Sequence, residues 1–148
     1  MAEGVLREVT LAMPMVPEME IEASKTAAAI ADSVRMSPDR IDEVRHAVIE
    51  ACINALEHSH AADREVYVTF QIVGEPGDPE KLRIMVHDNG IGFSPESEEP
   101  VNGGGASKPR KRHHGLRLIR GMMDEVEIRS GPGGTTIVMS KMLKAGAS

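Results

Sequence analysis

Asp88 is a residue of this chain with the means to do chemistry. It ends the strand-like run Arg83-Ile84-Met85-Val86-His87 and is followed at once by Asn89-Gly90-Ile91-Gly92. A carboxylate at the rim of an apolar pocket can accept a hydrogen bond from an exocyclic amine such as that of adenine. Gly90 and Gly92 would let the backbone approach a flat ring with no Cβ in the way. Asp-Asn-Gly is also a common hairpin turn, and in isolation that is its more frequent meaning.

Two further stretches change the balance. Upstream, His46, Glu50, Asn54 and Glu57 recur at spacings of four, four and three, so they share one side of a helix. A polar stripe is ordinarily a solvated face. Here Glu50 and Asn54 sit among Ala47, Ile49, Ala51, Ile53, Ala55 and Leu56, and a carboxylate and an amide oxygen one turn apart could hold Mg²⁺ and a nucleophile beside it. Downstream, His114-Gly115-Leu116 opens a helix just after the basic cluster Lys108, Arg110, Lys111 and Arg112. Helix N-termini carry unpaired amides and the positive end of the dipole, so a glycine there admits phosphate. The histidine pairs His58/His60 and His113/His114 lack the companion cysteines or spaced carboxylates of a metal site.

The elements that must position these residues follow from pattern. Val5 to Met13 alternates as a strand that Pro14 and Pro17 end. Pro17 with Glu18 and Glu20 then opens a helix, running through Ala23 to Val34 with Met19, Ala23, Ala27, Ile30 and Val34 on one face. Ser37 as N-cap and Pro38 as first helical residue start the second helix, from Asp39 to about His58, whose apolar stripe is Ile41, Val44, Val48, Ala51 and Ala55. Arg64–Val73 and Lys81–His87 read as a hairpin around a turn at 74–79. Asp124–Arg129 and Gly134–Lys141 read as two closing strands. Residues 94–112 show no periodicity and contain three successive glycines, Gly103 to Gly105, the composition of a lid.

Composition sets the outer bounds. The 148 residues suit one domain, 1–148, large enough for a core without staples. One cysteine, no basic-then-apolar start and no long apolar run point to a soluble protein of the reducing cytoplasm, away from membranes. A net charge of -6 with two Phe, one Tyr and no Trp disfavours direct nucleic-acid binding. Ten methionines suggest an adaptable aliphatic core or contact surface.

Four stretches together resemble a known family. Glu50-Ala-Cys-Ile-Asn54-Ala-Leu-Glu57-His58, His87-Asp88-Asn89-Gly90-Ile91-Gly92-Phe93, His114-Gly115-Leu116 continuing to Val126, and Gly134 to Lys141 are similar, in order and spacing, to the boxes of GHKL-type ATPases. Within that superfamily they look most like bacterial anti-sigma factor serine-protein kinases. The resemblance implies the Bergerat ATP-binding fold, an α/β (α+β) two-layer sandwich with helices on one face of a mixed, mostly antiparallel sheet.

It also implies roles. Glu50 would be the catalytic base, Asn54 the Mg²⁺ ligand, Asp88 the adenine acceptor, and Gly90 and Gly92 the glycines beneath the base. Gly115 and Leu116 would cap the phosphates beside His114, and Thr136 would back the adenine. Apart from the resemblance, whose lid is shorter and less basic, the cluster Lys108, Arg110, Lys111 and Arg112 is expected to reach the β- and γ-phosphates when the lid folds over. His113 stands where the family often has glycine. The cofactors implied are ATP and Mg²⁺; the implied partners are a sigma factor, which is sequestered, and an anti-anti-sigma protein, phosphorylated on serine, with a homodimer also compatible. A nucleotide-gated binding switch with negligible transfer is the alternative. A sensor-kinase ATPase module is disfavoured, because no phosphoacceptor-histidine helix domain accompanies it.

Overall fold

The computed structural model describes residues 4–58, 63–90 and 112–144. In order, β1 is Gly4–Pro14, α1 Met19–Ser33, α2 Pro38–His58, β2 Glu65–Glu75, β3 Asp78–Asp88, α3 Arg112–Met122, β4 Glu125–Gly131 and β5 Gly134–Met142. The strands form one sheet in the order β1-β2-β3-β5-β4. Among the described residues all four pairings are antiparallel, where the expectation was a mixed, mostly antiparallel sheet.

Strand alternation sorts the sheet into two faces. Val66, Val68, Phe70 and Ile72 of β2, Leu82, Ile84 and Val86 of β3, and Ile137 and Met139 of β5 are buried on the side that meets the core. Register aligns them in rows across the strands. One inner row reads Val9, Phe70, Ile84, Met139, Val126; the next reads Leu11, Val68, Val86, Ile137, Ile128. The last inner row, at the end of the sheet where β3 stops, reads Met13, Val66, Asp88, Thr135, Ser130. Asp88 therefore occupies an apolar slot.

The helices close this face. Ala23, Ala27 and Ala31 of α1 and Val44, Ala47, Val48 and Ala51 of α2 are fully buried, and the small side chains let the two helices approach closely. Leu116, Ile119 and Met123, at helical spacing, bury α3 and the residue after it. Helix starts differ from expectation in two cases, α1 and α3, which begins at Arg112 rather than His114. Ser37 caps α2, its hydroxyl accepting from Arg40 N at 3.4 Å and its carbonyl from Ile41 N at 2.9 Å. Pro17, however, lies outside α1, because Glu18 takes the left-handed φ of 78° between it and Met19.

The hairpin strands also run further than their apolar runs, to Glu75 and Asp78, closing around Pro76-Gly77 with Gly77 at φ 80°. Backbone pairing continues past the last apolar residue because ladder bonds do not depend on side-chain type. Two polar ties fix the far end of the helical layer. Buried Lys141 of β5 donates to Glu43 Oε1 of α2 at 2.9 Å and to the Met122 carbonyl at the end of α3. Arg40 pairs with Asp124 at 3.0 Å and donates to the Met142 carbonyl.

Candidate active site

Asp88 stands at the mouth of the last inner row. Asp88 is only 4% exposed, and Gly90 N donates to its Oδ1 at 3.0 Å, a tight Asx turn that aims the carboxylate. Beside it in the row lies Thr135, buried, whose hydroxyl shares a 3.1 Å hydrogen bond with that of Ser130. The hairpin-turn reading is thereby set aside, since both edges of β3 are already taken, one by β2 and the other by β5.

On α2 the polar stripe is graded rather than solvated. His46 is exposed, Glu50 and Glu57 are half-buried, and Asn54 is 1% exposed. An amide this deep among Ala51 and Ala55 is costly to bury unless its polar atoms are served. Cys52 lies within the same stretch, but burial pushes its thiol up to about 12, with Glu20 adding to the effect, so it stays protonated. On α3, Gly115 and Leu116 are buried at the start of the helix. Arg112, placed in the lid by sequence, and His114 both belong to the first turn of α3. Gly92, Lys108, Arg110, Lys111 and the triple glycine lie outside the described residues.

Thr136 does not join this group. Its strand parity is that of Val138, so it faces the opposite side of the sheet, where its Oγ1 lies 2.7 Å from His87 Nδ1. The hydroxyl on Asp88's side is Thr135. The period-2 rule could have chosen between the two threonines once Ile137 and Met139 were recognised as core.

The outer face at this end holds a hydrogen-bond chain the sequence did not suggest. His87 Nε2 lies 2.7 Å from Asn89 Oδ1, Asn89 Nδ2 donates to Asp63 Oδ2 at 3.2 Å, and Tyr67 OH lies 3.1 Å from the same carboxylate and 3.0 Å from Glu65 Oε1. The Asn89 amide, first, and the Glu65 backbone and Tyr67 hydroxyl hold the Asp63 carboxyl below its usual range. The Glu65 and Asp63 carboxylates push Tyr67 up to about 12.

Oxygen donors on Asn54 and Glu50 are of the type Mg²⁺ accepts, and the ion takes much of its shell from water and phosphates, so these residues fit it.

The sequence pattern of the histidine kinase-like ATPase domain family matches residues 13–141, which span every element from the end of β1 to β5. The serine-protein kinase RsbW of Bacillus licheniformis is 32% identical over 140 residues, covering 88% of this chain and 82% of its own. RsbW of a Bacillus cereus strain is 30% identical over 125 residues, covering 80% and 74%. Among solved structures, the RsbU and RsbW domains of a Mycobacterium tuberculosis protein superpose with a TM-score of 0.67 at 17% identity over 95% of this chain, which spans 34% of that longer one. The histidine kinase domain of an Erythrobacter litoralis blue-light activated histidine kinase superposes with a TM-score of 0.50 at 19% identity, covering 88% of this chain and 62% of its own, a likeness of fold. With a buried acidic residue at the mouth of β3, a buried amide on α2 and a glycine in the first turn of α3, this chain belongs to the histidine kinase-like ATPase family, among its serine-protein kinases of the RsbW type.

Proposed function

We propose that the protein works as an anti-sigma factor, sequestering a sigma factor and phosphorylating a serine of a small anti-anti-sigma partner with ATP. The observation that carries the nucleotide site is Asp88 in a core slot of β3, flanked by Thr135 and aimed by Gly90. In this reading Asp88 accepts from the adenine amine, and Thr135, rather than Thr136, supports it from β5. The amides at the start of α3, opened by Gly115, receive the phosphates. The cations Lys108 and Arg110, with Arg112 of the first turn of α3, add charge to them.

Glu50 is half-buried one turn before Asn54 and takes the proton of the attacking serine hydroxyl as its oxygen bonds to the γ-phosphorus and ADP leaves. Asn54 would hold Mg²⁺, which supplies charge neutralisation at the phosphates. Among the described residues no helix is long and apolar enough to cross a membrane.

The test is transfer from labelled ATP to a purified anti-anti-sigma protein, read by mass spectrometry at serine. Glu50→Gln keeps shape but cannot take a proton, and is expected to bind ATP normally while transfer falls by about 10² to 10⁴. Transfer at the normal rate would remove Glu50 as base. No transfer by the unaltered protein, with nucleotide still altering partner affinity, would make it a binding switch.

A further inference from the structure

Successive residues of a strand point to opposite faces, and the end of β3 uses this alternation to join two networks. Asp88 faces inward with its carboxylate 3.0 Å from Gly90 N; His87 and Asn89 belong to the outer network. The Asn89 amide is engaged at both ends, its oxygen by His87 Nε2 at 2.7 Å and its nitrogen by Asp63 Oδ2 at 3.2 Å. Asp63 leads the chain into β2 after α2, the helix that carries Glu50 and Asn54. Its other oxygen accepts from Glu65 N at 3.3 Å, so the carboxylate is itself held by the start of β2.

We propose that Asn89 and Asp63 form a clamp that positions Asp88 for its nucleotide contact, Asn89 being the positioning residue and Asp63 its anchor. This rests on the reading of Asp88 as adenine acceptor. Asn89 shares a peptide bond with Asp88, and with its side chain held at both ends the Asn89 Cα is restrained. The planar peptide leaves φ of Asn89 and ψ of Asp88 as the two soft backbone torsions between the clamp and Asp88, whose own χ1 and χ2 are restrained by the hydrogen bond from Gly90 N. Releasing Asn89 lets the Asp88–Gly90 turn sample other orientations, and the fraction of molecules competent to bind adenine falls, raising the apparent dissociation constant by that factor. The clamp acts at the adenine end of the site, away from the phosphates. Its loss therefore weakens ATP and ADP alike.

The experiment is a set of ATP and ADP titrations on the full chain for Asn89→Ala, Asp63→Ala, the double variant, Asp63→Asn and Asp88→Asn, each accompanied by a thermal melt. We expect Asn89→Ala and Asp63→Ala each to raise the dissociation constant about five-fold, equally for both nucleotides, the loss of one charge-assisted bond diluted by exposure. The double variant is expected to lose no more than either single one, because the two residues act as a unit. Asp63→Asn, which keeps an oxygen acceptor for Asn89 Nδ2, is expected to recover most of the affinity, a rescue that a general loss of packing would not show. Losses that multiply in the double variant, or unchanged affinity in both single variants while Asp88→Asn binds poorly, overturn the clamp. Unchanged affinity in Asp88→Asn overturns the nucleotide reading of Asp88 instead. If Asn89→Ala melts too low to titrate, the exposed Asp63 pair decides alone: equal affinity in Asp63→Ala and Asp63→Asn counts against the clamp.

Discussion

A Cβ placed on Gly134 would lie 1.9 Å from the carbonyl oxygen of Asp88 and 3.0 Å from the Cα of Asn89. Gly134 also takes φ +120°, a region closed to side-chain-bearing residues. The first residue of β5 is thus pressed against the backbone of the turn that aims Asp88, and only glycine allows that approach. Gly134→Ala is expected to cost about 3 kcal/mol or more of stability, since neither strain nor clash can be relieved by a side-chain movement. Chemical denaturation measures the loss, and ATP titration below the melting transition is expected to show weakened binding.

Asp88→Asn replaces an acceptor-only group with one that must choose its face. ATP affinity is expected to fall by roughly 1 to 3 kcal/mol, about five- to 150-fold, with the melting curve little changed. Isothermal titration measures it.

The two threonines at the start of β5 are expected to separate cleanly. Thr135→Val removes the hydroxyl from the row shared with Asp88 and Ser130, whereas Thr136→Val removes one from the outer face beside His87. Nucleotide affinity is expected to fall about five-fold in the first, the scale of one neutral hydrogen bond, and to stay within about two-fold in the second. The opposite ranking in parallel ATP titrations would return the adenine-backing role to Thr136.

Tyr67 is the only tyrosine and there is no tryptophan, so its ionisation can be followed directly by absorbance. Neighbouring carboxylates raise it to about 12 from an ordinary value of 10.0, Glu65 through its hydrogen bond first and Asp63 next. A folded-state value above the unfolded one means the tyrosine's contribution to stability is fully present below about pH 10 and is lost as pH rises toward 12. Glu65→Gln and Asp63→Ala are each expected to move the spectrophotometric midpoint down toward 10.0, Glu65→Gln by more. An unmoved midpoint would show that Tyr67 does not donate to this pair.

Lys141 is buried in β5 and ties the last carbonyl of α3 and Glu43 of α2 to the sheet. Lys141→Met keeps the stem but leaves both oxygens unserved, and is expected to cost about 2 kcal/mol, a fall of roughly 6 °C in Tm. With the start of α3 proposed to receive the phosphates, ATP binding is expected to weaken modestly as well.

Strand alternation and helical spacing determined by themselves that Arg64–Val73, Lys81–His87 and Gly134–Lys141 form strands, that Ser37 starts α2, and that Glu50, Asn54, Asp88 and Gly115 stand at the ends or faces of elements. These are local properties, written in periods of two and 3.6 residues, and neighbours along the chain suffice to read them. What only the tertiary structure decided is which residues meet. Whether Thr135 or Thr136 lies beside Asp88 depends on the register of β3 against β5, and one residue of register exchanges the faces. The close approach of Gly134, the union of Asp63 with Asn89 and the all-antiparallel order β1-β2-β3-β5-β4 likewise join segments far apart in the chain. The side chains of Asp63 and Asn89 carry no periodic signature, since an exposed polar residue in a turn reads the same whether it is solvated or clamped. Their partnership exists only because β2 and β3 lie side by side and bring the two strand ends within hydrogen-bonding distance.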